Sequence, residues 1–498
     1  MAEETEGQGK KQAKKAATGS NLLDEIMEHT RLQPQDEGYD VARQGVESLL
    51  RELFEQRQQQ PVERVDKRVV DQMIEDLDRR IGEQVDEILH HPEFRELESA
   101  WRGLKFLVDR TEFKENIKIQ FINASKEDLV DDFREAGEVS KSGLFQHVYT
   151  KEYGQFGGEP VGLMVGNYDF GPGGQDIYLL QNMASLGAVS HAPFISGASE
   201  DFFGVERFEE LPQLKELESV IDGPQYARWR SLRDSDDARN LGLVLPRFML
   251  REPYDPADNP VREFNYAEGR TGDRNDYLWG NAAFAFATRI TESFARYRWC
   301  PNIVGPIAGG AVKELPIDVV EVDGQDRMVG PVEVQISDRR EYELSDLGFV
   351  PLTLRKGSDN AAFFSANSVQ RPKYFGSDAE ARQAELNYRL GTQLPYLFIV
   401  NRLAHYVKVL QRENLGSWKS RAELENELNK WLRQYVADQE NPSPATRSQR
   451  PLRRANLSVE EVEGEAGWYR VSMQVTPHFK FMGANFTLSL TGSLDRAA

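Results

Sequence analysis

Val161–Ile195, VGLMVGNYDFGPGGQDIYLLQNMASLGAVSHAPFI, reads as a strand, a helix and a second strand. Val161 to Val165 is a short apolar run of the kind that forms a strand buried on both faces. Asp176 to Val189 reads as a helix, and Pro193-Phe194-Ile195 resumes an extended pattern. Strands alternating with helices build an α/β layer. The turn Gly171-Pro172-Gly173-Gly174-Gln175-Asp176 precedes a helix N-terminus, where anions bind well. It contains no lysine and Pro172 has no N–H to donate, so a tight turn is the better reading.

Downstream, Leu241–Leu245, Pro316–Val322 and Phe349–Leu354 read as strands, and Ala361–Val369 as one more. Trp279–Trp299 is an apolar helix whose alanines (282, 283, 285, 287 and 295) allow something to pack close. Leu394–Gln411 is the most apolar helix of the chain. Upstream, Ile117, Ile119 and Phe121 alternate with polar residues as a strand, and Ser125-Lys126-Glu127-Asp128 resembles a capping box. Phe94, Leu97, Trp101, Leu104 and Val108 recur at spacings of three and four, the stripe of a packing helix that Pro92 opens. Residues 41–60 hold another amphipathic helix, with Val46, Leu49, Leu50, Leu53 and Phe54 on its apolar side. Leu22, Leu23, Ile26 and Met27 line a short helix between Ser20 and Arg31, which Pro34 ends. So short a helix is unstable alone, so it docks on its own chain or fills a partner's groove. The first 20 residues are polar and should be disordered.

The C-terminal part ends in strands. Ser417–Tyr435 is a helix with Leu424, Leu428, Trp431 and Leu432 inside and charges outside. After Asn441-Pro442-Ser443-Pro444 comes the strand Leu452–Val462, then the ribbon Trp468–Leu490. Val471, Met473 and Val475 fall on one face at period two, and Phe486, Leu488 and Leu490 repeat the pattern. Lys480 is the only charge between Val471 and Leu490. Such a ribbon is either the last hairpin of its own sheet, which the pattern alone favours, or an arm that adds strands to a neighbour.

The chain has 498 residues, 39% of them hydrophobic, enough for two or three cores. Its net charge of −20 argues against nucleic acid and anionic membranes as partners. One cysteine, Cys300, rules out an intrachain disulfide and reads as a small buried apolar residue. No apolar run reaches the roughly 20 residues of a membrane span, and no signal peptide is visible, so a cytoplasmic protein is expected. The seven histidines form no metal-binding pattern, and no phosphate loop, dinucleotide fingerprint or nucleophile elbow is present. Neither a cofactor nor catalysis is expected.

Several stretches together resemble one family. They are HPEFRELESAWRGLKFLVDRT (91–111), GPGGQDIYLL (171–180), APFISGAS (192–199), LGLVLPRFMLREPY (241–254), YLWGNAAFAFATRITESFARYRWCPNI (277–303), GFVPLTLRKGSDNAAFFSANSVQRPKYF (348–375) and the tail from Arg450 to Leu490. They resemble the large subunit of the type VI secretion contractile sheath, the TssC/VipB family, from about Ser20 onward.

The resemblance implies a mixed α/β, tail-sheath-like fold with a helical N-terminal region and C-terminal intersubunit strands. It implies a disordered tail over 1–19, N-terminal helices over 20–60, a helical segment over 61–115, an α/β outer or middle sheath domain over 116–346, and an inner sheath domain over 347–498. The implied role is structural. Such a subunit pairs with a small sheath subunit of the TssB/VipA family and polymerises with other copies around an Hcp tube on a membrane-anchored baseplate. The sheath contracts to drive the tube out, and a ClpV-type AAA+ ATPase recycles it. Under the resemblance, Leu22, Leu23, Ile26 and Met27 become the ATPase-recognition helix. Val471, Met473, Val475, Phe486, Leu488 and Leu490 become intersubunit strands, which reverses the reading from pattern alone. Glu423, Glu427, Lys430 and Arg433 mark a candidate tube-facing helix. A phage-type tail sheath and a stand-alone cytosolic α/β enzyme are the alternatives.

Overall fold

The computed structural model describes residues 27, 34–35, 38–55, 67–256, 264–269, 273–322, 324–376, 378–413, 420–439, 442–461, 469–478 and 488–493. The chain divides into two compact units, Met1–Arg80 and Ile81–Ala498. The longer helices are α1 (Tyr39–Glu55), α2 (Lys67–Leu89), α3 (Pro92–Asp109), α4 (Lys126–Ala136), α5 (Gly174–Ser190), α6 (Ala282–Tyr297), α7 (Asp338–Asp346), α8 (Ala379–Gly391), α9 (Leu394–Glu413) and α10 (Arg421–Leu432). The strands are β1 (Met164–Phe170), β2 (Phe194–Ala198), β3 (Leu241–Leu245), β4 (Phe248–Arg251), β5 (Leu278–Gly280), β6 (Ala311–Val312), β7 (Asp318–Val322), β8 (Gln325–Val329), β9 (Phe349–Leu354), β10 (Ala361–Phe363), β11 (Leu452–Glu461), β12 (Tyr469–Pro477) and β13 (Leu488–Ser493).

The larger unit is organised around a six-stranded sheet in the order β1-β2-β3-β9-β10-β6. The first four strands are parallel, and β10 and β6 close the edge antiparallel. Central strands covered on both faces are apolar at every position. In β3, Leu241, Leu243 and Leu245 enter one core while Val244 enters the other. On the first side lie α4 and α5, through Leu129, Phe133, Ile177, Leu180 and Met183. On the second lies α6, whose Ala283, Ala285 and Ala287 bring its backbone close to the sheet, as the run of alanines predicts. The pairing of β9 with β3 brings residues 349–351 into the same sheet as residues 243–245.

A third core holds the C-terminal strands. The antiparallel sheet β11-β12-β13 lays Leu457, Val459, Val471, Met473 and Val475 against Leu424, Leu428 and Leu432 of α10. The long helix α9 joins two cores. Leu394, Leu397 and Phe398 belong to that of the main sheet, and Ile399, Val400, Leu403 and Val407 to that of the C-terminal sheet.

Two local expectations differ from the structure. Ile117–Phe121 forms no strand, since no described strand lies alongside to pair with it, and Phe121 is 64% exposed. Most of the stripe of α3 faces outward, with Leu97 at 56% and Trp101 at 57% exposed, while Leu104 packs on the main-sheet core. The buried side of α3 instead carries Gly103 and Leu107. The close approach explains the glycine: a Cβ at 103 would lie 2.6 Å from the ring of Phe284 on α6.

Candidate assembly surfaces

Open α/β sheets bind ligands beyond the carboxyl ends of their strands. Here that place is filled by the protein's own side chains. The Gly171 N–H donates to Asp176 Oδ2 at 2.7 Å, so a carboxylate of the chain occupies the turn that an anion would need. Lys126 Nζ donates to Asp176 Oδ1 at 3.0 Å and to the Asp169 carbonyl at 3.1 Å. Asn281 caps α6 through Oδ1 and donates from Nδ2 to Asp169 Oδ1 and to the Tyr168 carbonyl, both at 3.0 Å. Burial pushes the Asp169 carboxyl up to about 6, against the pull of Arg247, which itself forks onto Glu333 at 2.8 Å. A Cβ at Gly197 would come within 2.2 Å of Asp169 Oδ1, so the cluster leaves no room for a guest. Among the described residues no group of three potential ligands could hold a metal ion. Burial pushes the Cys300 thiol up to about 12, and its Sγ faces the Ile290 carbonyl, so it carries no thiolate chemistry.

The C-terminal sheet sets out the ribbon residues in register. Val471 pairs with Val459 and Gly492, Met473 with Leu457 and Leu490, and Val475 with Ala455 and Leu488. Within this chain β12 is therefore the middle strand, and its three predicted residues point into the third core. Phe486 lies outside the described residues.

The outer edge of β11 is closed by α10. Asn429 donates from Nδ2 to the Leu457 carbonyl at 2.7 Å and accepts from the Leu457 N–H at 3.0 Å. Glu425 accepts from the Val459 N–H at 3.2 Å. Side chains thus occupy ladder positions that would otherwise offer themselves to a foreign strand. Sequence reasoning missed both residues. They sit i and i+4 beside the apolar stripe of α10, where polar residues usually just meet solvent.

The other predicted residues are more scattered. Glu423, Glu427, Lys430 and Arg433 are all exposed. Glu423 also closes the capping box of α10, accepting from the Ser420 N–H at 2.8 Å, so its carboxylate is partly committed to the helix itself. Lys430 and Arg433 line open grooves at the far end of the helix. Of the N-terminal four, Met27 is helical and 3% exposed, while Leu22, Leu23 and Ile26 lie outside the described residues. Among the described residues no helix is long and apolar enough to cross a membrane.

Two family profiles match the chain in succession. Residues 71–370 match VipB, described as the EvpB/VC_A0108 tail sheath N-terminal domain, and residues 383–494 match its tail sheath gpW/gp25-like domain. The type VI secretion system sheath protein TssC1 of Pseudomonas aeruginosa PAO1 is 40% identical over 464 residues, which is 92% of both chains. The contracted helical sheath of the anti-feeding prophage, solved by cryo-electron microscopy, aligns at 9% identity over 66% of this chain and 65% of that one. Its TM-score of 0.27 does not superpose the two folds as wholes, and it adds nothing to the assignment. With both parts matched and a sheath protein alike along nearly its whole length, the chain belongs to the VipB family of tail sheath proteins and is a structural component of a type VI secretion sheath, not an enzyme.

Proposed function

We propose that this chain is the large subunit of a contractile sheath that pairs with a small subunit of the TssB/VipA family and polymerises around an Hcp tube in the cytoplasm, on a membrane-anchored baseplate. Contraction propels the tube, and a ClpV-type AAA+ ATPase then recycles the subunits. The observation that carries this is the 40% identity to a type VI sheath protein across 92% of both chains. The same relative favours a type VI sheath over a phage tail.

The division of labour follows from the C-terminal sheet. Asn429 and Glu425 close the β11 edge, which favours the β13 side for strands shared with other subunits. Val471, Met473, Val475, Phe486, Leu488 and Leu490 lie on the strands that knit neighbouring subunits together, with β13 at the edge of the sheet. The exposed face of α10 and its end, with Glu423, Glu427, Lys430 and Arg433, is the candidate for the tube. Leu22, Leu23, Ile26 and Met27 form the helix the ATPase reads.

Negative-stain electron microscopy of the chain co-expressed with its small partner, beside the chain alone, tests the proposal. Hollow cylinders only in the co-expressed sample are expected, and deletion of residues 472–490 should abolish them. A discrete soluble particle in both samples would sink the reading.

A further inference from the structure

One edge of the six-stranded sheet is β1, and its outer side is open. On the inner side, the Met164 N–H donates to the Pro193 carbonyl at 2.9 Å, the Ser196 hydroxyl donates to the Gly166 and Tyr168 carbonyls, and the Phe170 carbonyl accepts from the Ser199 N–H. Backbone groups alternate sides along a strand, so those of Val165, Asn167 and Asp169 turn outward. Lys126, at the start of α4, covers the Asp169 carbonyl. Among the described residues, Val165 and Asn167 pair with nothing on that side. An edge of this kind is a template for one more strand.

The segment Ile117–Asn123 has the matching need. No backbone group in it is hydrogen-bonded among the described residues. Two side-chain bonds tether it: Lys118 Nζ donates to Glu159 at 2.6 Å, and the Tyr168 hydroxyl donates to the Ala124 carbonyl at 2.7 Å. Its faces already agree with those of β1. Ile119 packs on the same core as Leu163 and Val165, and Ala124 on the same core as Met164 and Tyr168. A single parallel register serves both faces, setting Ile119 beside Leu163, Phe121 beside Val165 and Ala124 beside Tyr168. The topology agrees as well. Helix α4 follows the segment, α5 follows β1, and both lie on one face of the sheet. A strand outside β1 would therefore complete a crossover of the same hand as β1–α5–β2.

We propose that Ile117–Asn123 is a strap that closes on β1 as a seventh, parallel strand when the chain is built into a sheath. The proposal rests on the sheath reading and adds a conformational step to it. Fixing the strap costs conformational entropy that a short ladder repays poorly. Phe121 and Ile122 are 64% and 53% exposed, with Phe121 beside Trp101. A neighbouring subunit that covers them adds the apolar burial that tips the balance. In the closed register Val165 bonds to Gln120 and Ile122, while the N–H groups of Ile119, Phe121 and Asn123 face away.

Hydrogen exchange of the full chain with its small subunit, read residue by residue by mass spectrometry, compares the heterodimer with assembled cylinders. Assembly should slow Gln120, Ile122, Val165 and Asn167 by about 100-fold, and Ile119 and Phe121 far less. Gln120→Pro removes a donor that faces β1 and should raise the protein concentration needed for cylinders about tenfold, whereas Asn123→Pro, whose N–H faces away, should change it by no more than about twofold. Slowing of Val165 and Asn167 alone would give the edge to a strand of another chain and overturn the proposal. Uniform slowing along the segment, slowing already complete in the heterodimer, no slowing at all, or equal effects of the two prolines would overturn it too. Failure of the sheath reading looks different, because then the unmodified pair forms no cylinders.

Discussion

The helices Pro92–Asp109 and Leu394–Glu413 both carry apolar residues at spacings of three and four, and they end in opposite surroundings. In α9 those residues are buried, from Leu394 through Leu403 to Val407. In α3 Phe94, Leu97, Trp101 and Val108 are exposed while Leu104 packs on the main-sheet core, and the Trp101 ring meets the exposed Phe121 at a tilt, centroids 6.0 Å apart. Gly103, Leu104, Phe106 and Leu107 seat α3 on the core of the main sheet, and polar contacts fix it further. Arg95 donates to the Tyr277 carbonyl, Ser99 to the Trp279 carbonyl, and Glu98 is bound by Arg251. A stripe in a sequence says that a face is made to be covered; it does not say by which chain.

The contrast can be broken at its strongest points first. Arg251 is buried between Glu98 and Glu268, at 2.8 and 2.6 Å, and holds both carboxyls below their usual range despite burial. Arg251→Ala leaves Glu98 with Arg102 alone and Glu268 with His90 and the Tyr254 N–H, and should cost about 3 kcal/mol in chemical denaturation. Leu403→Ala, at a fully buried position of α9, should cost about 2–5 kcal/mol in the same assay. A loss within about 0.5 kcal/mol would show that α9 is no more firmly seated than the exposed stripe of α3.

The seat of α9 should also be sensitive to acid. Burial holds His191 down to about 4 and His405 down to about 3, and His405 Nε2 lies 2.9 Å from the Ser190 carbonyl. Lys408 sits 4.5 and 4.3 Å over the rings of Tyr149 and Tyr153 beside them, adding to the repulsion of a second positive charge. The unfolded chain takes up these protons near the ordinary 6.5 while the folded chain refuses them. Stability from this cluster is therefore whole above pH 6.5 and lost as pH falls toward 4 and below. Asp169 works the other way, since its raised pKa favours the folded state at low pH and loses that advantage as pH rises to about 6. Melting temperatures across pH 4–8 should fall on the acid side, and less steeply in His405→Leu.

Smaller effects sharpen the α3 side. Gly103→Ala drives a methyl into the Phe284 ring and should cost about 1–3 kcal/mol by denaturation. Trp101→Ser on the exposed face should stay within about 0.5 kcal/mol. A larger loss would mean that the stripe is already covered within the chain.

How much was legible follows from how far apart the partners lie. The strand–helix–strand core was readable because each piece carries its own pattern within a few residues. The first strand is shifted, from the apolar run Val161–Val165 to Met164–Phe170, whose Asn167 and Asp169 carry no apolar pattern. Only the fold shows that Asp169 is paired to Asn281, 112 residues on. The ribbon was legible at period two, down to Val471, Met473 and Val475 facing the core. Its closed edge was not, since Asn429 meets Leu457 28 residues away and nothing in the helix marks that bond. Arg453 and Arg454 were visible as basic residues of a strand, but their joining with Lys430 and Arg433 is a product of packing.

The long helix α9 has a mechanical consequence. Twenty residues make a rod of about 30 Å, and this one is embedded at one end in the core of the main sheet and at the other in the core of the C-terminal sheet. It is a drive shaft keyed at both ends, so torque applied to the ribbon is delivered to the six-stranded sheet without slack. If the sheath contracts as proposed, the two sheets would swing together as a single crank.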